Sequence, residues 1–111
     1  MFDFGDLVWV PVPFVEALRL RHRPAVIVGR PWQGDEFRLY RAVMVTSSDN
    51  AGWPDDTPIG DHYRAAGLPN PSIVRPAKIV SVAENTASRL GRLPEPIVTR
   101  VRAAMDQVAE A

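Results

Sequence analysis

The chain contains no cysteine, which excludes a disulfide framework, a thiolate metal site and a cysteine nucleophile. It also has no net charge, because 13 basic side chains oppose 13 acidic ones over 111 residues. That balance excludes a basic or acidic tail and a uniformly positive surface. Lysine is nearly missing: Lys78 stands alone beside 12 arginines. No long hydrophobic run is present. The longest uncharged apolar stretch, Leu7 to Val15, is broken by Pro11 and Pro13 and falls far short of the roughly 18 residues that span a bilayer. The segment from Met1 to Asp6 has no basic n-region, as a secretory signal would. The fingerprints GxGxxG, P-loop, HExxH and GxSxG are absent as well. The expectation is a soluble protein of a reducing cytoplasm that has no membrane partner.

What is present reads as one globular domain, residues 1–111. Apolar residues make up 46% and charged residues 23%, values of a folded rather than a disordered chain. Proline is frequent, 11 residues, about twice the usual share. Proline interrupts helices and central strands, so the elements must be short. Leu7-Val8-Trp9-Val10 reads as a strand buried on both faces, with Trp9 in the core, ended by Pro11 and Pro13. Phe14 to His22 reads as a loop. Pro24 to Val28 is a second strand with proline at its first position, and Phe37 to Thr46 a third. Ser47 to Asp61 reads as a long acidic surface loop. Ser72–Arg75 and Lys78–Val82 are two further short strands around Pro76. The helix signal lies at the end, where Ile97, Val101, Ala104, Met105 and Val108 recur at helical spacing. Pro94 or Pro96 with Glu95 suits its start. Five or six short strands and one terminal helix predict a mainly β, compact barrel with the helix packed across one side.

The densest chemical signal is His22-Arg23-Pro24, within a stretch from Arg19 to Arg30 that holds four arginines and no acid. Arginine grips phosphate through paired charge-assisted hydrogen bonds, and imidazole exchanges protons near neutral pH. The plainer reading is a solvated loop. Thr46-Ser47, at a strand exit, offers hydroxyls to a phosphate oxygen or caps for nearby backbone. Arg75 sits at a strand end, where the plain reading is a surface ion pair. Asp49, Asp55, Asp56, Asp61 and His62 match no EF-hand or zinc spacing, so no metal and no cofactor is expected. Trp32 and Trp53, in loops, either stack on bases, anchor a protein or cover the core edge.

Taken together, several segments resemble the MazF/PemK family of toxin endoribonucleases. They are Gly5-Asp6-Leu7-Val8-Trp9-Val10 with Pro13-Phe14, His22-Arg23-Pro24-Ala25-Val26-Ile27-Val28, and Val45-Thr46-Ser47. Ala66-Gly67-Leu68 with Pro71 to Arg75 and Leu90-Gly91-Arg92-Leu93 complete the set. The resemblance covers nearly the whole chain in order. It implies an SH3-like barrel with a carboxy-terminal helix, working as a homodimer that cuts single-stranded RNA without a metal and is blocked by a cognate antitoxin. In that chemistry the RNA 2′-hydroxyl attacks the adjacent phosphorus, leaving a 2′,3′-cyclic phosphate and a 5′-hydroxyl. By the resemblance, Arg23 stabilises the developing phosphate charge, Thr46 with Ser47 holds a nonbridging oxygen or orients the attacking group, and His22 assists with a proton or shapes the loop. Arg75, Arg21, Arg19 and Glu16 make up the expected RNA-binding set. The sequence departs at Ala77, where some members carry an acid–base aspartate. That departure favours the alternative of a non-catalytic barrel binding a protein target or antitoxin; an SH3-like adaptor for a peptide, with an exposed aromatic groove, is a second alternative.

Overall fold

The computed structural model describes residues 1–14, 19–29, 32–33 and 38–110, with side chains left out at a few strand ends. Among the described residues, seven strands form one antiparallel sheet: β1 (Asp6–Phe14), β2 (Arg19–Ile27), β3 (Trp32–Gln33), β4 (Arg38–Ser47), β5 (Thr57–Pro58), β6 (Ser72–Ala83) and β7 (Ser88–Arg92). The order across the sheet is β5-β6-β4-β2-β1-β7, with β3 on β4. The sheet curls as a half-barrel, and the terminal helix α1 (Glu95–Glu110) follows. This is the mainly β fold with a carboxy-terminal helix that the sequence predicts.

The two-residue period of a strand sends alternate side chains to opposite faces, and here both faces are apolar. Leu7, Val26 and Val43 are cross-strand partners in a first cluster that also takes in Val45, Ile59, Leu68 and Val74. Val8, Ala25 and Met44 line the other face with Val10, Ile27 and Tyr40. Helix α1 closes the first cluster with Ile97, Val98 and Val101, and Met105 packs against it. These positions make one helical stripe. Pro94 accepts the first helical bonds from Ile97 and Val98 through its carbonyl, while Glu95 meets the positive end of the helix dipole.

Several expectations change. Pro11 and Pro13 do not end β1, which runs to Phe14 and pairs Pro11 with His22 and Pro13 with Leu20. They are tolerated because β7 pairs β1 only from Asp6 to Trp9, so one edge is open where the prolines fall. Of the region read as a loop, Phe14 and Arg19 to His22 are therefore strand, while residues 15–18 lie outside the described residues, and Pro24 lies inside β2 rather than at its start. Trp9 is not core: it is 39% exposed. The two strands read around Pro76 are one, because Val43 pairs with Ile79 and Met44 with Arg75, leaving Pro76 to Lys78 as a bulge. Trp32 lies in β3 rather than in a loop. The acidic segment is not a plain surface loop either, since it contains β5 and two short 3-10 turns, and Thr57 and Ile59 are buried.

One buried charge ties the ends of the chain together. Asp6 is almost fully buried. It accepts hydrogen bonds from the Asp3 N–H and from the guanidinium groups of Arg89 and Arg92. Gly5 beside it bonds Ile27 and Leu93 through its backbone. Its φ of +93° favours glycine, and a Cβ there would press on Val98. A second glycine contact joins Gly67 to β7, where a Cβ on Gly91 would collide with the Ala66 carbonyl.

Burial pushes the Asp6 carboxyl up, but the Asp3 amide and the two arginines outweigh it and hold it below the usual carboxylate range. A folded-state value below the unfolded one of about 3.9 gives stabilisation that is complete above that pH and is lost as pH falls through the folded value. Asp6→Ala is therefore expected to cost about 2–3 kcal/mol at neutral pH. The gap in melting temperature between variant and parent should narrow as pH drops below about 4. A gap that persists unchanged through that range would assign the loss to packing.

Candidate functional site

The ladder between β2 and β4 runs from Ile27–Ala42 to Ala25–Met44 and then stops. Beyond it, β2 continues with β1 alone while β4 continues with β6. The two strands part, and a cleft of about 240 Å³ opens between them. Two more steps of the ladder would set Arg23 opposite Thr46, so strand alternation alone sends both toward the same face.

The cleft is lined by Trp9, Arg21, His22, Arg23 and Pro24 on one side and by Val45, Thr46, Ser47, Leu68, Asn70 and Ser72 on the other, with Pro69. Five of the residues expected from the sequence, Arg21, His22, Arg23, Thr46 and Ser47, thus meet in one cavity although two separate segments supply them. The wall holds two arginines and no acid. Arg23 is half-buried, while Arg21 and His22 are exposed. The His22 ring stacks on Trp9 at a centroid distance of 6.2 Å and an interplanar angle of 15°. This pairing makes a flat aromatic surface at the cleft mouth.

The two hydroxyls are already placed by local bonds. Ser47 Oγ accepts from the Asp49 N–H at 3.2 Å and caps the short turn that follows. Thr46 Oγ1 accepts from Asn50 Nδ2 at 3.0 Å. A hydroxyl that accepts still has its own O–H to donate. Ser72, buried in the wall, donates to the Asn70 carbonyl.

Arg75 stands behind this wall and does not line the cleft. It is buried, and its guanidinium forms a two-pronged pair with Asp56, Nε to Oδ1 at 3.1 Å and Nη2 to Oδ2 at 3.0 Å. Nη2 also donates to the Asn50 carbonyl at 2.7 Å. The group lies 4.1 Å from the centre of the Trp53 ring. The Arg75 hydrogen bonds hold the Asp56 carboxyl below the usual carboxylate range, and Asp56 in turn raises Arg75. Arg75 is thus a buried ion pair rather than the exposed one that its strand-end position suggests.

The remaining expected residues are placed as follows. Arg19 begins β2, with its side chain outside the described residues, and Glu16 lies outside them altogether. Ala77 is exposed in the β6 bulge and does not line the cleft. Among the described residues no group of three histidines, cysteines or acids is placed to hold a metal ion, and no helix is long and apolar enough to cross a membrane. Sequence reasoning missed Trp9, Asn50, Asp56 and Ser72. For Trp9 the missing signal was parity: β1 turns it away from Val8 and Val10 just where the cleft removes its cover.

Known proteins bear out the family and the fold. Residues 3–109 match the family described as PemK-like, MazF-like toxin of type II toxin-antitoxin system. MazF from Deinococcus radiodurans (Form-I) superposes with a TM-score of 0.70 at 20% identity, covering 99% of this chain and 97% of that one. The MazE-MazF assembly of the same organism (Form-II) gives a TM-score of 0.67 at 21% identity, covering 97% of this chain and 94% of that one. No curated protein matches the chain by sequence. With all but the extreme ends inside the family match, the chain belongs to the PemK-like, MazF-like toxins of type II toxin-antitoxin systems.

Proposed function

We propose that the protein is a sequence-selective endoribonuclease that cuts single-stranded RNA by 2′-hydroxyl attack, works as a cytoplasmic homodimer and is neutralised by a cognate antitoxin. The observation that carries this reading is the meeting of Arg21, His22 and Arg23 with Thr46 and Ser47 around one acid-free cleft. The assembly of MazE with MazF in the Deinococcus radiodurans structure supports an antitoxin partner of the same kind.

The chemistry follows from the groups in the wall. The 2′-oxygen forms a bond to phosphorus as the bond to the 5′-oxygen breaks, and negative charge builds on the nonbridging oxygens. Arg23 meets that charge with a fixed, forked cation, the electrostatic contribution that dominates most catalysis of this kind. The Thr46 and Ser47 hydroxyls donate to the same oxygens. The 2′-proton must leave and the 5′-oxygen must gain one. Imidazole suits that exchange, and His22 is the histidine of the cleft wall. Ala77 carries no acid and does not line the cleft, so this arrangement draws its proton carrier from other residues. The Trp9–His22 surface offers a stacking face to an unpaired base, a contact single-stranded RNA presents and a duplex does not.

Purified protein is expected to cleave single-stranded RNA in EDTA, leaving cyclic phosphate ends, and to spare a substrate carrying a 2′-deoxy sugar at the cut site. Arg23→Ala should lower the rate by roughly 100- to 1000-fold while its melting curve stays that of the parent. Full activity in that variant would remove Arg23 from the site. Growth arrest on expression with RNA left intact would instead favour the non-catalytic barrel.

Binding of a non-cleavable 2′-deoxy analogue gives an independent check. Trp9→Ala should weaken it by roughly 1–3 kcal/mol if a base stacks there. The cleft wall carries two arginines, so the logarithm of the binding constant should fall against that of salt concentration with a slope of only about −1 to −2. A much steeper slope would mean that RNA runs far beyond the cleft.

A further inference from the structure

Arginine 75 matches, by resemblance, a residue expected to touch RNA, yet in the structure it is buried and its guanidinium donates three hydrogen bonds within the protein, from Nε and Nη2. We propose that Arg75, Asp56 and Asn50 form a positioning device that fixes the Thr46 hydroxyl in the cleft, and that Arg75 acts on the reaction only through them. The proposal rests on the endoribonuclease reading for its kinetic consequences, not for its geometry.

The segment between β4 and β5 leaves the sheet directly after Thr46 and Ser47 and returns where Thr57 pairs with Val74. Arg75 lies next to that return point. Strand alternation puts it on the same sheet face as Thr46, since Met44 pairs with Arg75 and Thr46 with Ile73. Its guanidinium stitches the two ends of the segment together, taking the Asn50 carbonyl near the start and the Asp56 carboxylate near the end. Asp56 also accepts from the Gly52 and Trp53 amides, and Trp53 covers the guanidinium. Every one of these contacts fixes the backbone that carries Asn50.

Asn50 then reaches back. Its Nδ2 donates to Thr46 Oγ1 at 3.0 Å. This occupies one acceptor position on the hydroxyl and leaves its proton for an oxygen arriving in the cleft. Asn50 itself is exposed, so the bond adds little to stability. What it supplies is orientation. A threonine at a strand end otherwise samples more than one rotamer, and a reacting group held slightly wrong costs rate rather than binding.

Asn50→Ala is the decisive variant, because it removes the side-chain donor and keeps the backbone carbonyl that Arg75 uses. Its kcat should fall roughly tenfold with KM and melting temperature unchanged. In a Thr46→Val background the same substitution should do nothing further, since the hydroxyl it positions is gone. Losses that multiply, or an Asn50→Ala enzyme as fast as the parent, overturn the proposal. Three-bond couplings at the Thr46 methyl, read without RNA, should show one χ1 rotamer in the parent and averaging in Asn50→Ala. A single rotamer in both overturns it. A parent that fails to cleave RNA defeats the endoribonuclease reading and leaves the positioning device to be decided by the couplings. Arg75→Lys separates the remaining possibility. Lysine keeps the charge but not the fork, so a positioning role predicts a fall in kcat at constant KM. Direct contact with RNA predicts a raised KM and a salt slope flatter by about 0.7.

Discussion

The functional region depends on the point where β2 and β4 stop pairing. Up to Ala25–Met44 the two strands share a ladder; past it each keeps one neighbour, and the space between them is the cleft. Everything chemical follows from that parting. It leaves alternate residues of two facing strand ends, Arg23 and Thr46, turned to one side without a core to fill. It uncovers Trp9, which would be buried if the sheet continued. It also tolerates Pro24, because a residue with a single neighbouring strand can lack an N–H at small cost. Pro24 and the cleft therefore have one origin, a pair of central strands joined along only part of their length.

Charge is distributed to the same end. A net charge of zero hides two kinds of arginine. Arg89 and Arg92 meet the buried Asp6, and the buried Arg75 meets the half-buried Asp56. These pairs cancel locally and serve the fold. Arg21 and Arg23 line the cleft instead, among wall residues that include no acid. The acidic segment from Asp49 to Asp61 is less of an electrostatic barrier than its composition implies, since Arg75 neutralises Asp56, the one aspartate among them that is not exposed.

Much of this was legible in the residues. The strands around Leu7–Val10 and Ala25–Val28, the terminal helix with Ile97 and Val101 inward, and the meeting of His22-Arg23 with Thr46-Ser47 follow from local pattern and from the ordered resemblance. What escaped depends on long-range pairing. Pro11, Pro13 and Pro76 read as strand ends because local propensity does not know which edge is open or where a bulge absorbs the extra residues. Val98 lies beside the expected helical stripe and turned out buried, since the helix packs into a curved sheet and so buries a broader face. Asp56 read as one acid among several in a loop. Nothing in a string marks it as the partner of a residue 19 positions away.

The buried Arg75–Asp56 pair is hard to explain as a source of stability. Two desolvated ions recover little more than they lose, and apolar residues of similar size often do as well or better. What an apolar pair lacks is direction. The arginine fork fits the carboxylate in one orientation, and the second N–H of Nη2 fixes a single carbonyl, that of Asn50. A hydrophobic plug would hold the segment down but let it slide, and the Asn50 donor would slide with it. The choice of arginine also matters, because the flat guanidinium stacks on Trp53 while bonding in its own plane, which a lysine ammonium cannot do. The ion pair is best understood as the means by which an irregular segment, without a ladder to set its register, acquires the geometric definition that the strands on either side of the cleft obtain from their neighbours.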